Sequence, residues 1–266
     1  MIYTNLKGGL GNMLFQIATT LSLSIDKGVD ASFPNLMSHL NYLNNDGSFN
    51  PKLKHSLEYL FLFDKLLTNK PPKGIKTYHY PFHYDDTIPE GNEFIIDGFF
   101  QSEKYFKKNE KKIKEILTIP KNVLDIINSK YKSILDLETT AIHLRRGDYL
   151  NLPKYHPTQS LEYYEKSMNL LNNTEKFIIF SDDIEWCKLN FIGDKYYFIE
   201  NEKDYVELYL MSMCNNVITC NSSFSWWGAW LNQNKNKTVI GPKNWFGPSL
   251  QLLKTDDIIP NDWIKL

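Results

Sequence analysis

The chain has 266 residues, 42% of them hydrophobic and 14% aromatic, with a formal net charge of -1. Such a chain can bury one large core or two small ones, and its composition excludes disorder. A charge so close to zero gives no footprint for nucleic acid, and Cys187, Cys214 and Cys220, lacking CxxC spacing, read as reduced, packed thiols with no zinc site.

Met1-Ile-Tyr-Thr-Asn5 enters a strand directly, without the charged and apolar regions of a signal peptide. No apolar run reaches the length of a membrane span. A cytoplasmic protein is expected, and the three glycosylation sequons, beginning at Asn172, Asn221 and Asn236, then carry no meaning.

The first strand, Ile2 to Leu6, leads into Lys7-Gly-Gly-Leu-Gly-Asn12 and a helical pattern from Met13 to Ile25. Strand, glycine-rich turn and helix open a nucleotide-binding half-domain. Gly8, Gly9 and Gly11 do not complete a G-x-G-x-x-G, because Leu14 stands in the third glycine's place. Two readings stand: a tight structural turn, or backbone approach to a phosphate. Asn12 either meets a ligand or caps the helix.

The middle third predicts a helix over Ser56 to Leu67, a strand over Glu93 to Gly98, a helix from Ser102 to Leu117 capped by Ser102, and another from Asn122 to Ile134. The lysines between Lys104 and Lys114 have the spacing of a solvated helix face, one that could touch an anionic membrane surface.

From Thr139 the pattern is regular. Strands at Thr139–Leu144, Phe177–Phe180, Tyr196–Ile199, Val217–Cys220 and Thr238–Ile240 alternate with helices near Leu161–Leu171, Ile184–Leu189, Tyr205–Cys214 and Phe224–Asn232. Asp182 with Glu185, and Asp204 with Glu207, have capping-box spacing. Repeated β-α units predict a parallel, doubly wound sheet. The expected organisation is α/β, with two Rossmann-like domains over residues 1–135 and 136–266.

The segment from Thr140 to Leu150 runs a buried strand into Arg145-Arg-Gly-Asp148. Alternation puts His143 and Arg145 on one face at the strand's end, where open α/β sheets bind ligands. Gly147 is expected to allow a sharp turn that aims Asp148 back at the same place. A guanidinium fork there suits a phosphate, and the competing reading is a structural salt bridge, Asp148 included. His143 is either a satisfied core histidine or a site residue. Asn221-Ser-Ser-Phe-Ser225 follows a strand and opens a helix carrying Trp226, Trp227 and Trp230. Free amides and small hydroxyls at a helix start make an anion site, a role compatible with Ser222 or Ser223 as cap. The tryptophans read as core. For Asp182, at another strand end beside Asp183, capping is explanation enough.

Together, these segments resemble the α-1,2-fucosyltransferases of glycosyltransferase family 11. The matching stretches, in order, are Gly8-Gly-Leu-Gly-Asn-Met-Leu-Phe-Gln16, Asp97-Gly-Phe-Phe-Gln-Ser-Glu-Lys-Tyr-Phe106, His143-Leu-Arg-Arg-Gly-Asp-Tyr149 and Asn221-Ser-Ser-Phe-Ser-Trp-Trp-Gly-Ala-Trp230. The resemblance implies a GT-B-like architecture, two Rossmann-like domains with a donor cleft between them, the N-terminal one on the acceptor side and the C-terminal one binding GDP-fucose. It also implies inverting transfer of L-fucose from GDP-fucose to the 2-hydroxyl of a terminal galactoside, without a cofactor or an obligatory metal. No Asp-x-Asp pair at a strand end speaks for a metal.

On that footing Arg145 faces the departing β-phosphate, helped by Ser222, Ser223 and Ser225. Asp148 is the base or an arginine's partner. His143 and Arg146 fall to the donor pocket, with Gly9, Gly11 and Asn12. Gln101 and Tyr105 fall to the acceptor. Leu150 to Ser160 fits no family pattern, which leaves His156 unassigned. The expected partners are GDP-fucose, a galactoside glycan and, peripherally, the inner face of a bacterial membrane. The rival classes are a carbohydrate-binding protein without catalysis and an NAD(P)-dependent nucleotide-sugar enzyme; the latter needs a Tyr-x-x-x-Lys pair and a full dinucleotide fingerprint, and neither stands in a convincing place.

Overall fold

A computed structural model describes residues 1–40 and 57–266. The chain forms two compact units, Met1–Thr118 with Lys254–Ile258, and Ile119–Leu253 with Ile259–Leu266.

In the first unit, β1 (Ile2–Tyr3), α1 (Leu10–Lys27), β2 (Ala31–Ser32) and α2 (Leu36–Leu40) precede β3 (Thr77–His79), β4 (Phe94–Asp97) and α3 (Glu110–Ile116). The strands pair in parallel in the order β2-β1-β4-β3. Ile2, Phe94, Ile96 and Phe100 are buried together. The chain leaves β1 for β2 on one side and returns through β3 and β4 on the other. The reversal of strand order therefore falls between β1 and β4, and their carboxyl ends flank the crevice such a reversal opens.

Ser56 lies outside the described residues, and Leu57–Leu62 is a 3-10 turn instead of an α-helix. The helix expected from Ser102 is also broken. Ser102 caps only the 3-10 turn Glu103–Tyr105, a second turn covers Lys107–Asn109, and α3 follows. The break is at Phe106, which leaves helical dihedrals (φ -135°, ψ 0°) with its ring buried 6.1 Å from Phe15 of α1. Core burial of one aromatic outweighs helix continuity here. Lys104, Lys107, Lys108 and Lys114 pair with Asp257, Glu103, Asp26 and Glu110.

The second unit carries α4 (Lys121–Leu135), β5 (Thr139–Leu144), α5 (Leu161–Asn169), β6 (Lys176–Ser181), α6 (Ile184–Asn190), β7 (Tyr196–Phe198), α7 (Asp204–Met213), β8 (Asn216–Ile218), α8 (Ser223–Leu231), β9 (Val239–Gly241) and β10 (Ile264–Lys265). Its sheet runs β10-β9-β8-β5-β6-β7, all parallel. Helix α4 packs on α7, and Tyr131 Oη donates to Glu202 Oε1 at 2.8 Å. This places α4 in the second unit and the division at Thr118, not near residue 135.

Every residue of β5 is buried, as a central parallel strand requires. Helix α8 is apolar almost all round. Trp226 and Trp230 stack (6.2 Å, 11°), Trp227 meets both edge-on, and Trp263 closes the cluster. Gly228 lets α8 approach α7, since a Cβ there would lie 2.9 Å from Met211 Cβ. The tryptophans are core. From β5 the chain winds through β6 and β7, then crosses back to β8 and β9, so the order reverses between β5 and β8.

Candidate active site

The β5–β8 reversal is where an open α/β sheet binds its ligand, and both distinctive motifs of this half end there. Arg145 leaves β5, and Cys220-Asn-Ser-Ser223 leaves β8 into α8. Arg145 Nε donates to Asp148 Oδ1 at 2.8 Å and lies 3.1 Å from Asp182 Oδ2. Two carboxylates thus fix the plane of the guanidinium through Nε. Its terminal nitrogens have no protein partner among the described residues, which leaves the fork open for an anion. The Tyr149 ring lies 5.9 Å from the guanidinium carbon.

Asp182 has a different task from the helix cap its spacing suggested. The residue that caps α6 is Asp183, without a side-chain bond. Asp182 Oδ1 accepts the backbone N–H of Arg146 at 2.8 Å while Oδ2 faces Arg145. Gly147 lies in the turn expected of it, which brings Asp148 back to Arg145, although its backbone is not left-handed. It is glycine because a Cβ would lie 2.8 Å from Asp182 Oδ2. Nor do Asp204 and Glu207 form a capping box, since α7 starts at Asp204, capped by Lys203. Glu207 is nonetheless shifted up to about 8, first by burial and then by Asp204, Glu202 and Asp182.

Arg146 turns away from its neighbour. Its Nε pairs with Asp183 Oδ2 at 3.0 Å and its guanidinium lies 3.6 Å over the Trp186 ring, so it ties the end of β5 to α6. His143 is buried with its ring 5.4 Å from Phe224. Burial, then the charge of Arg145, lowers it to about 3, so the imidazole is neutral. Its Nδ1 lies 3.2 Å from Cys220 Sγ, a thiol pushed up to about 12 by burial and therefore protonated. Cys220 gave no signal in the sequence beyond its place before Asn221.

Ser222 caps α8, its hydroxyl accepting from Phe224 N at 3.3 Å. Ser225 is fully buried and donates to the Ser222 carbonyl at 3.3 Å, whereas Ser223 is partly exposed at the helix start. Asn221 is satisfied on every side: Nδ2 donates to the Pro157 and Trp245 carbonyls and Oδ1 accepts from Gln159. Tyr149 Oη donates to the Asn221 carbonyl at 2.9 Å, tying the two motif loops together. His156 stacks on Tyr149 at 5.1 Å and meets Phe246 edge-on.

In the first unit, Gly9 is the N-cap of α1 and makes no side-chain cap bond, so Asn12 is not the cap. Gly8 is the residue with positive φ (+73°), and a Cβ there would strike Asn12 Nδ2 at 2.5 Å. Gly11 is buried within α1. Gln16 closes the loop by accepting from Lys7 N–H and donating to the Lys7 and Asn12 carbonyls. Gln101 Nε2 donates to Asn12 Oδ1 at 2.6 Å. Tyr105 is committed to structure, since its hydroxyl accepts from Asp85 N–H and donates to the His83 carbonyl within a ring cluster of Tyr80, Tyr84 and Phe100.

Among the described residues, no group of three or more His, Cys, Asp or Glu side chains is placed to hold a metal ion, and no helix is long and apolar enough to cross a membrane.

The profile of "Glycosyl transferase family 11" matches residues 1–266. The Escherichia coli "Alpha-1,2-colitosyltransferase" is 32% identical over 296 residues, covering 100% of this chain and 99% of that one. The Escherichia coli "O-antigen biosynthesis glycosyltransferase WbnK" is 28% identical over 309 residues and covers both chains completely. Among solved structures, a mutant of Arabidopsis thaliana FUT1 in complex with GDP superposes with a TM-score of 0.51 at 13% identity, over 97% of this chain and 74% of that one. Fucosyltransferase NodZ from Bradyrhizobium gives 0.50 at 11% identity, over 85% and 90%. At such identities the likeness shows the fold, α/β and GT-B-like. The chain belongs to glycosyl transferase family 11 and is a glycosyltransferase.

Proposed function

We propose that the protein transfers L-fucose from GDP-fucose to the 2-hydroxyl of a terminal β-galactoside, with inversion at the anomeric carbon. The observation that carries this reading is Arg145, held through Nε by Asp148 and Asp182, with its terminal nitrogens unpaired among the described residues, beside the start of α8. As the glycosidic bond to GDP breaks, charge builds on the β-phosphate oxygen. A fixed fork and helix-start amides near Ser222 and Ser223 stabilise that charge where it develops. Asp148 serves chiefly to orient Arg145. His143, neutral and held at Nδ1 by Cys220, supports the floor of the pocket as an uncharged group. Arg146 and Ser225 support the site from beneath, through Trp186 and the Ser222 carbonyl. Gly9, Gly11 and Asn12 supply backbone and amide groups on the first unit, and Gln101 falls to the acceptor.

A second donor has a specific observation behind it, the 32% identity to an α-1,2-colitosyltransferase. Colitose is L-fucose without its 3-hydroxyl, so the two donors differ by one polar group. A site built to bond that hydroxyl rejects the deoxy sugar by about 10⁴-fold, whereas an apolar pocket discriminates far less. The test is GDP release from GDP-fucose and GDP-colitose against a panel of β-galactosides, with linkage analysis of the product. Release from GDP-fucose and a 1,2 linkage support the first reading; release from GDP-colitose alone replaces the donor. No release with either, despite glycan binding, makes the protein a lectin on this fold.

A further inference from the structure

We propose that His156 binds a hydroxyl of the sugar being transferred, through the nitrogens of an imidazole fixed beside Arg145; the inference rests on the transferase reading above. Every residue it uses belongs to the second unit. The segment from Leu150 to Ser160 leaves the arginine motif through the 3-10 turn Tyr149–Asn151 and folds straight back. Leu150 N–H donates to the Arg146 carbonyl at 2.8 Å, and the N–H groups of Tyr155 and His156 both donate to the Leu152 carbonyl, at 2.9 and 2.8 Å. Two outside contacts fasten the segment. Gly247 and Ser249 N–H donate to the Tyr155 and Lys154 carbonyls, each at 2.9 Å, and Asn221 holds the Pro157 carbonyl and the Gln159 side chain. The Lys154 carbonyl sits so close to Gly247 that a Cβ there would lie 2.5 Å from its oxygen. His156 thus stands on a support hung from the Asn221 motif.

The ring is locked by aromatic contacts, yet its hydrogen-bonding groups are idle. It stacks on Tyr149, centroids 5.1 Å and planes 24° apart, and meets Phe246 at 5.4 Å. Tyr149 is fixed in turn by its hydroxyl on the Asn221 carbonyl. His156 is half-buried, but neither imidazole nitrogen has a protein partner among the described residues. Polar atoms drawn into a fold are ordinarily paired, and a ring kept for packing alone gains nothing from them. Burial lowers the pKa of His156, and the charge of Asp148 opposes this only in part. The ring is therefore neutral near pH 7, with one N–H donor and one lone-pair acceptor. A hydroxyl, which donates and accepts at one oxygen, matches either nitrogen.

Position decides whose hydroxyl it is. Tyr149, the ring on which His156 stacks, lies 5.9 Å from the Arg145 guanidinium carbon. Asp148, whose charge reaches the imidazole, is bonded to Arg145 Nε. With the β-phosphate on the Arg145 fork, the groups attached to that phosphate are the α-phosphate on one side and the transferred sugar on the other. Ribose and base lie one phosphate further off, so the first hydroxyls beside Arg145 are those of the sugar. A nucleobase would also seek an open aromatic face, and Tyr149 already covers one face of His156. Both candidate donors carry 6-deoxy sugars, with a methyl group beside hydroxyls. An imidazole packed with Tyr149 and Phe246 offers apolar and hydrogen-bonding surface together.

The experiment compares calorimetric binding of GDP with that of the sugar nucleotide the wild type uses, GDP-fucose or GDP-colitose, in wild type, His156→Phe, His156→Asn and His156→Gln, followed by transfer kinetics. His156→Phe keeps the stack and removes both nitrogens. We expect its affinity for the sugar nucleotide to fall roughly tenfold, the worth of one hydrogen bond, while GDP affinity stays unchanged because GDP carries no sugar. Asn and Gln place an amide where Nδ1 or Nε2 stood, so one of the two should recover part of the loss. An equal fall for GDP and sugar nucleotide in His156→Phe, or no recovery by either amide, marks a structural role and overturns the assignment. Unchanged sugar-nucleotide affinity overturns it too, whether acceptor KM rises, which moves His156 to the acceptor, or kcat falls and added imidazole restores it, which makes His156 a base. A wild type that releases GDP from neither donor overturns the function itself; a loss confined to the variants leaves the function standing and bears on His156 alone.

Discussion

Replacing Arg145 by lysine keeps the charge and removes the fork. In the structure Nε is held at 2.8 Å by Asp148 and at 3.1 Å by Asp182, which sets the guanidinium plane and turns its terminal nitrogens outward. Lysine has one nitrogen to divide between those carboxylates and the β-phosphate, so at least one bond to the departing oxygen is lost. A preorganised donor of this kind contributes on the order of 3 kcal/mol to the barrier, or about 10²-fold in kcat. The assay is GDP release at saturating donor and acceptor, with calorimetry for GDP. Because GDP carries the charge of the departed group, its affinity should fall by a comparable factor, while the donor KM changes less. Arg145→Ala should lose more again, since the charge goes too. Near-native kcat in Arg145→Lys, or a raised KM with kcat unchanged, would refute the reasoning.

Three other outcomes follow from neighbouring residues. Gly147→Ala places a methyl 2.8 Å from Asp182 Oδ2, so the carboxylate must leave Arg145; kcat should fall about tenfold or more with the circular dichroism spectrum unchanged. His143 is lowered to about 3 in the fold; below its unfolded value the unfolded chain binds the extra proton, so stability drops as pH falls. Urea unfolding should lose about 1.4 kcal/mol per pH unit on this account between about 6.5 and 3, a slope that His143→Asn abolishes. Glu207, raised to about 8, has the opposite sign: the folded state keeps a proton that the unfolded chain has released. Stability from this group is present at low pH and lost as pH rises through about 8, so Glu207→Gln should raise the Tm near pH 8 and leave it unchanged near pH 5.

Where the sequence was legible, a strong period or a rule of topology stood behind it. Strand β5 spans Thr139–Leu144 as read, a run of β-branched and apolar residues, with His143, that is buried throughout as a central parallel strand requires. The sheet reversal then fixed why Arg145 and Ser222 share a site although 77 residues separate His143 from Cys220. Strands β2, β3 and β10, of two or three residues each, are too short to show any alternation and went unseen. Asp182 was misjudged for a physical reason: a carboxylate at a helix start satisfies a capping pattern by spacing alone, and nothing local reveals an arginine 37 positions earlier in sequence. Tyr105 falls to the acceptor only through the family resemblance, and its hydroxyl is engaged by the backbone of His83 and Asp85.

The measurement that bears most directly on the central claim is a crystal structure of the protein with GDP. The account predicts the β-phosphate within hydrogen-bond reach of the Arg145 terminal nitrogens and of the first amides of α8, at the carboxyl ends of β5 and β8. A diphosphate bound at any other edge of the sheet, with Arg145 still joined only to Asp148 and Asp182, would contradict it.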